Sequence, residues 1–168
     1  MTLEVRRTED RDRDAVLALV RAAFARPPHD GAEEVDIVRT TWRLGASVDG
    51  GDLVAVDNGA VVGHVLAALG DLAGVAVPGI APLAVRPDHQ RQGVGVALMH
   101  AVLTAIEATG APAVLLLGNP AYYGRFGFEP AEDYGISYSP VPGPDFQIRW
   151  FNPTAQLPRG TFRYCWEL

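Results

Sequence analysis

The stretch Ile80-Ala81-Pro82-Leu83-Ala84-Val85-Arg86-Pro87-Asp88-His89-Gln90-Arg91-Gln92-Gly93-Val94-Gly95-Val96-Ala97-Leu98 decides the fold. Its first six residues read as an apolar strand interrupted by Pro82. A proline inside a strand removes a ladder donor, so a bulge or disrupted pairing is expected there. The far end enters a helix with Val94, Leu98, Ala101, Val102 and Ala105 on one face and Gly110 as its C-terminal cap. Ala113 to Leu117 follows as a continuous apolar run, the pattern of a parallel strand covered on both faces. Strand, helix and strand make one β-α-β unit with a right-handed crossover.

The junction Gln90-Arg91-Gln92-Gly93-Val94-Gly95 carries the chemistry of that unit. A helix N-terminus offers unpaired backbone N–H groups and a partial positive charge, and glycines let a phosphate come close. The junction is therefore a candidate diphosphate cradle, although the Gly-x-Gly spacing alone fits a plain tight turn equally well. The dinucleotide fingerprint fails, since its third glycine would fall at Leu98. That disfavours a nucleotide-dependent oxidoreductase. All 14 basic residues are Arg, which removes both the Lys of a nucleotide P-loop and Schiff-base chemistry.

Outward from this unit, the pattern is mixed. Leu3 to Arg6 alternates like an edge strand, and Thr8 or Asp10 is placed to cap the helix carrying Val16, Leu19, Val20, Ala23 and Phe24. Pro27 and Pro28 end that helix. A second helix is expected from about Glu33 to Leu44, with Val35, Val38 and Trp42 in one stripe. Leu53–Val56 and Ala60–Leu69 read as a hairpin turned at Asn58-Gly59. Gly70 to Gly79 reads as a Gly-rich loop or turn. Asn119 to Phe126 is a short irregular or helical piece, and Pro140, Pro142 and Pro144 mark a loop. Phe146–Phe151 and Thr161–Trp166 look like a final antiparallel pair.

The 168 residues suit a single domain spanning the chain. Asp and Glu outnumber Arg by 20 to 14, and the net charge of −6 argues against nucleic acid as a partner. No apolar run reaches the length of a membrane span, and Met1 to Asp14 is charged rather than signal-like, so a cytoplasmic location is expected. The single Cys165 builds neither an intrachain disulfide nor a cysteine metal site, and no His, Asp or Glu spacing suggests a metal. No Ser lies in a nucleophile elbow.

Two blocks carry a family resemblance. Gln90-x-x-Gly93-x-Gly95 after Leu83-Ala84-Val85-Arg86-Pro87 resembles the acetyl-CoA motif of the GNAT N-acetyltransferase superfamily. Tyr123-Gly124-Arg125-Phe126-Gly127-Phe128 resembles that family's Tyr-x-x-x-Gly-Phe segment. Gly63-His64-Val65, Ala81-Pro82-Leu83-Ala84-Val85 and Gly118 to Pro130 are most similar to its bacterial YhbS-like members.

The resemblance implies an α+β fold, a splayed and mainly antiparallel sheet with one parallel β-α-β unit and flanking helices. It implies acetyl-CoA wedged between Ile80–Val85 and Ala113–Leu117. The diphosphate would lie on Arg91, Gln92, Gly93, Val94, Gly95 and Val96, and the pantetheine arm along Leu83, Ala84 and Val85, with Asn119 and Tyr123 completing the cofactor site. The acetyl group would pass directly to a primary amine on a small molecule or a peptide, without a covalent intermediate.

Such transfer needs a base for the amine, donors for the developing oxyanion and an acid for the thiolate. Tyr123, four residues before Gly127, has the spacing of the family's general acid, and Tyr122 is assigned to packing or the pocket wall. For the base, Glu34 leans toward the apolar stripe of the second helix, although acidic residues in a first turn also answer the helix dipole. His64 is a further candidate, more often structural in such a strand, and His89 borders the cradle. The alternative function is a non-catalytic acetyl-CoA sensor. Edge strands near the C-terminus offer pairing across a homodimer.

Overall fold

A computed structural model describes residues 1–168. The elements are β1 (Leu3–Arg7), α1 (Arg13–Phe24), α2 (Ala32–Leu44), β2 (Ser47–Asp57), β3 (Ala60–Leu72), β4 (Val75–Val85), α3 (Val94–Ala108), β5 (Ala113–Leu117), α4 (Pro120–Tyr123), β6 (Glu129–Pro130), β7 (Ile136–Ser137), β8 (Phe146–Trp150) and β9 (Gly160–Arg163). The sheet runs β1-β2-β3-β4-β5-β8-β6, with β9 on the end of β3 and β7 beside β9. β4 and β5 are parallel, as is the short β7–β9 contact, and the other pairs are antiparallel. This is the α+β architecture expected from the sequence.

Alternation along the strands divides the core between two faces. Val62 and Val65 pack with Leu98, Met99, Val102 and Ile106 of α3. Leu66, Val54 and Ala84 pack instead with Val16 and Val20 of α1 and Val35 and Val38 of α2. Burying each such side chain contributes about 1.5–3 kcal/mol before the entropy of ordering it. A third cluster, including Phe146, Ile148, Phe162 and Tyr164, joins the C-terminal strands to the base of the sheet.

Three local readings change. Neither Thr8 nor Asp10 caps α1. The Asp12 carboxylate takes the Glu9 N–H at 2.8 Å and a forked pair of bonds from Arg6 at 2.7 and 3.0 Å. Of the two readings of Gly70 to Gly79, the turn holds and the loop does not: β3 runs to Leu72 and β4 starts at Val75, turned by Ala73 (φ 48°) and Gly74 (φ 88°). Two consecutive positive φ angles match the right-handed twist of a hairpin. Nor do the last strands pair together. β8 lies between β5 and β6, while β9 adds to β3 at Asp71 and Leu72, a site that exists only because β3 is so long.

Candidate active site

β4 and β5 meet at only two pairs, Gly79 with Leu115 and Ile80 with Leu116. Beyond Ile80 the chain reaches Pro82, which has no N–H to offer. On the other edge of β4, Val65 faces Leu83 and Ala67 faces Ile80, so Ala81 and Pro82 together stand against Leu66. This is the bulge expected at Pro82. β5 meanwhile stays zipped to β8 as far as Leu117. The two strands part, and a cleft of about 920 Å³ opens between Ile80, Pro82 and Leu83 on one side and Leu117, Asn119 and Tyr123 on the other.

Past the end of β4 lies the N-terminus of α3. Arg91 (φ 61°) and Gly93 (φ 86°) turn the chain sharply into the helix. Two glutamines brace the turn, Gln90 Nε2 donating to the Val85 carbonyl and Gln92 Nε2 to the Asp88 carbonyl, each at 3.1 Å. The Ala97 N–H donates to the Gly93 carbonyl at 3.0 Å, but the amides of Val94, Gly95 and Val96 have no backbone acceptor. Gly95 leaves the space before them open: a Cβ there would lie 2.9 Å from the Tyr122 hydroxyl and 3.7 Å from Val85 Cγ2. Unpaired donors, a positive helix end and a missing side chain fit a diphosphate. Arg91 and Gln92 are exposed at the turn. Leu83 faces the cleft, whereas the Ala84 side chain is buried toward α1 and α2, leaving only its backbone for a cofactor.

The two tyrosines point in different directions. Asn119 caps α4, its Oδ1 accepting the Ala121 N–H at 2.9 Å. Tyr123 turns into the cleft beside Asn119 and Leu117. Burial, with a small contribution from Tyr122, pushes its phenol up to about 12, so the hydroxyl keeps its proton at neutral pH. Its ring lies over Gly118, where any side chain would collide with it. Tyr122 points to α3 instead, with the Arg125 guanidinium 4.6 Å from its ring centre.

Glu34 lines the cleft from α2, together with Glu33 and Ile37. His64 does not reach it. Its ring is fully buried, with Nε2 2.8 Å from Asp52 Oδ1, while Trp42 Nε1 donates to Asp52 Oδ2 at 2.7 Å. Burial opposes the Asp52 charge, but the bonds from His64 and Trp42 outweigh it and hold its carboxyl below the usual range. His89 bridges Asp57 at 3.2 Å and Asp88 at 2.8 Å beside the cradle, and hydrogen bonds to both carboxylates raise its pKa.

Several cleft residues have no motif to announce them: Phe24 at the end of α1 and Arg26 beyond it, Tyr138 in the proline loop, and Tyr164, Trp166 and Glu167 at the C-terminus. The Tyr138 hydroxyl donates to Glu167 Oε1. The Tyr164 hydroxyl is sealed from solvent and lacks a hydrogen-bond partner, although the backbone of Leu117 is near enough to act on it. The aromatic-rich run Tyr164-Cys165-Trp166-Glu167 was the one available signal. No three His, Cys, Asp or Glu side chains converge as a metal site.

A GNAT-type sheet with this parting, a Gly-edged helix N-terminus and a protonated tyrosine in the gap agrees with the family comparison, which matches the acetyltransferase (GNAT) domain over residues 4–131. The chain belongs to that family. Among relatives, it is 33% identical over 119 residues to the uncharacterized N-acetyltransferase YjhQ of Escherichia coli, covering 68% of this chain and 65% of that one. It is 39% identical over 87 residues to the uncharacterized N-acetyltransferase YhbS of the same organism, covering 50% and 52%. The matches thus span about half to two-thirds of the curated relatives. Solved structures align almost end to end. The YhbS protein of E. coli in complex with CoA superposes with a TM-score of 0.83 at 29% identity, covering 96% of this chain and 89% of that one. A GNAT family acetyltransferase from Brucella melitensis in complex with acetyl-CoA gives 0.81 at 27%, covering 97% and 96%.

Proposed function

We infer that this chain is an acetyl-CoA-dependent N-acetyltransferase that passes an acetyl group directly to a primary amine. The observation that carries this reading is the parting of β4 and β5 at Pro82, which opens a cleft beside β4, with the unpaired amides of α3 following past the end of that strand. Relatives crystallised with CoA and acetyl-CoA share the fold across nearly the whole chain, which supports the cofactor. Acetyl-CoA supplies an activated thioester, and the protein's part is to hold and orient it and to manage protons.

Val94, Gly95 and Val96 offer the diphosphate three amides at a positive helix end, and Arg91 and Gln92 flank them. Leu83, the Ala84 backbone and Val85 form the wall for the pantetheine arm, and Asn119 closes the opposite side. The Tyr123 hydroxyl holds a proton for a departing thiolate, which its raised pKa keeps available. Glu34, on the facing wall, accepts the proton of the amine directly or through water. No Ser, Thr or Cys side chain lines the cleft, which favours direct transfer.

The test is release of free CoA from acetyl-CoA across a panel of amines, with the acetylated product confirmed by mass. Turnover of at least one primary amine is expected. Cofactor binding without turnover of any amine would select the sensor reading instead.

A further inference from the structure

We propose that the acceptor carries a second positive charge: it is a diamine, or an amine with a cationic group several carbons from the reacting nitrogen. This rests on the transferase reading above and names its substrate class. The charged side chains facing the cleft are Glu33, Glu34 and Glu167, against a single Arg26. A second depression of about 660 Å³ shares Glu33, Glu34, Ile37 and Trp166 with the cleft, and it adds Asp30, His29 and Asp36, the last 4.0 Å from Arg39. The chain's ion pairs consume other carboxylates, such as Asp12 by Arg6 and Asp88 by Arg86. Within the cleft, Glu33, Glu34 and Glu167 have no cation within 4.0 Å. Uncompensated carboxylates in one concavity focus a negative potential and favour a cationic ligand.

The floor gives an independent indication. Tyr164 is 3% exposed, lines the cleft, and leaves its hydroxyl without a partner. Its ring lines the cleft, but the hydroxyl itself is sealed from solvent, so the residue serves a ligand through its aromatic surface. Glu167 is fixed beside it, accepting from the Tyr138 hydroxyl and from the Tyr164 N–H at 3.3 Å. Glu33 acts on the same phenol: burial, Glu167 and Glu33 together push the Tyr138 pKa up. Trp166 stacks on Tyr164 with ring centres 4.4 Å apart. Aromatic faces edged by carboxylates make a site for an ammonium group. Glu33 and Glu167 thus hold the distal charge, while Glu34 remains for the amine that reacts.

The experiment compares 1,5-diaminopentane, pentylamine and 5-aminopentanoate by calorimetric titration of the whole protein, with and without saturating CoA. A separate CoA titration reads the cofactor site, so a failure there strikes the transferase reading and leaves the amine comparison standing. The diamine should bind about tenfold tighter than pentylamine, an advantage that shrinks with salt, and 5-aminopentanoate should bind weakest. Glu33→Gln, a change at an exposed helix position, should cut the diamine advantage to about threefold or less with CoA affinity unchanged. Equal binding of diamine and pentylamine, or a diamine advantage untouched by Glu33→Gln, would overturn the proposal.

Discussion

Substituting valine for Gly95 tests the cradle with little expected harm to the fold. Gly95 is the second residue of α3 and does not need left-handed backbone. A side chain there meets first the Tyr122 hydroxyl, the free end of a half-buried ring that can swing away. Relief of glycine's helix penalty, about a few tenths of a kcal/mol for β-branched valine, partly offsets that crowding, so the ligand-free melting temperature should move by only about 3 °C or less. The branched side chain would nevertheless stand in front of the unpaired amides. For the wild type, CoA at 100 times its dissociation constant adds about 2.7 kcal/mol. In a chain of this size that corresponds to roughly 5–10 °C. The Gly95→Val variant should lose nearly all of that shift. Gly93 is the control. A Cβ there meets nothing within 4 Å, but φ is +86°. Gly93→Ala should therefore cost about 1–2 kcal/mol of ligand-free stability and keep most of the CoA shift. Differential scanning fluorimetry with and without CoA reads both quantities. A full CoA shift in Gly95→Val would refute the assignment of the diphosphate to this helix end.

Tyr123→Phe should lower kcat by about tenfold or more with CoA affinity nearly unchanged, whereas Tyr122→Phe should stay within about twofold in kcat; steady-state kinetics decides, and an exchange of the two behaviours would refute the assignment of Tyr123. Gly118→Ala, which drives a methyl group into the Tyr123 ring, should reproduce the Tyr123→Phe loss in turnover while CoA calorimetry stays normal. Glu34→Gln should depress kcat without weakening CoA; unaltered turnover would leave that carboxylate to the helix dipole alone. Asp52 has a lowered pKa, so its bonds to His64 and Trp42 stabilise the fold above the unfolded carboxyl value near 4, and that contribution is lost as pH falls through the lower folded value. The urea midpoint of the wild type should therefore drop more steeply from pH 5 to 3 than that of Asp52→Asn.

The β4–α3–β5 unit was legible because its signals are local: a proline that spoils pairing, a glycine at a helix start, and an apolar run. The Asn58-Gly59 turn was legible for the same reason. The hairpin turn at Ala73-Gly74 was not, because alanine at φ 48° carries no turn signature and the surrounding glycines and prolines mimic a loop. The pairing of β9 with β3 was out of reach, since Phe162 and Leu72 meet only after the intervening chain has folded. The same holds for the site. The cradle and Tyr123 stand in contiguous motifs, but Tyr138, Tyr164 and Glu167 arrive from the C-terminal third through the β7, β8 and β9 contacts. Ala84 shows the limit of a contiguous motif, since alternation turns its side chain away from the cleft that Leu83 lines.

The gap between β4 and β5 and the N-terminus of α3 should form one acetyl-CoA site. A crystal structure of this protein with CoA tests it most directly. The diphosphate should lie within hydrogen-bond distance of the Val94, Gly95 and Val96 amides, with the thiol in the gap near Pro82 and Tyr123. CoA bound elsewhere, or its diphosphate held away from those three amides, would contradict it.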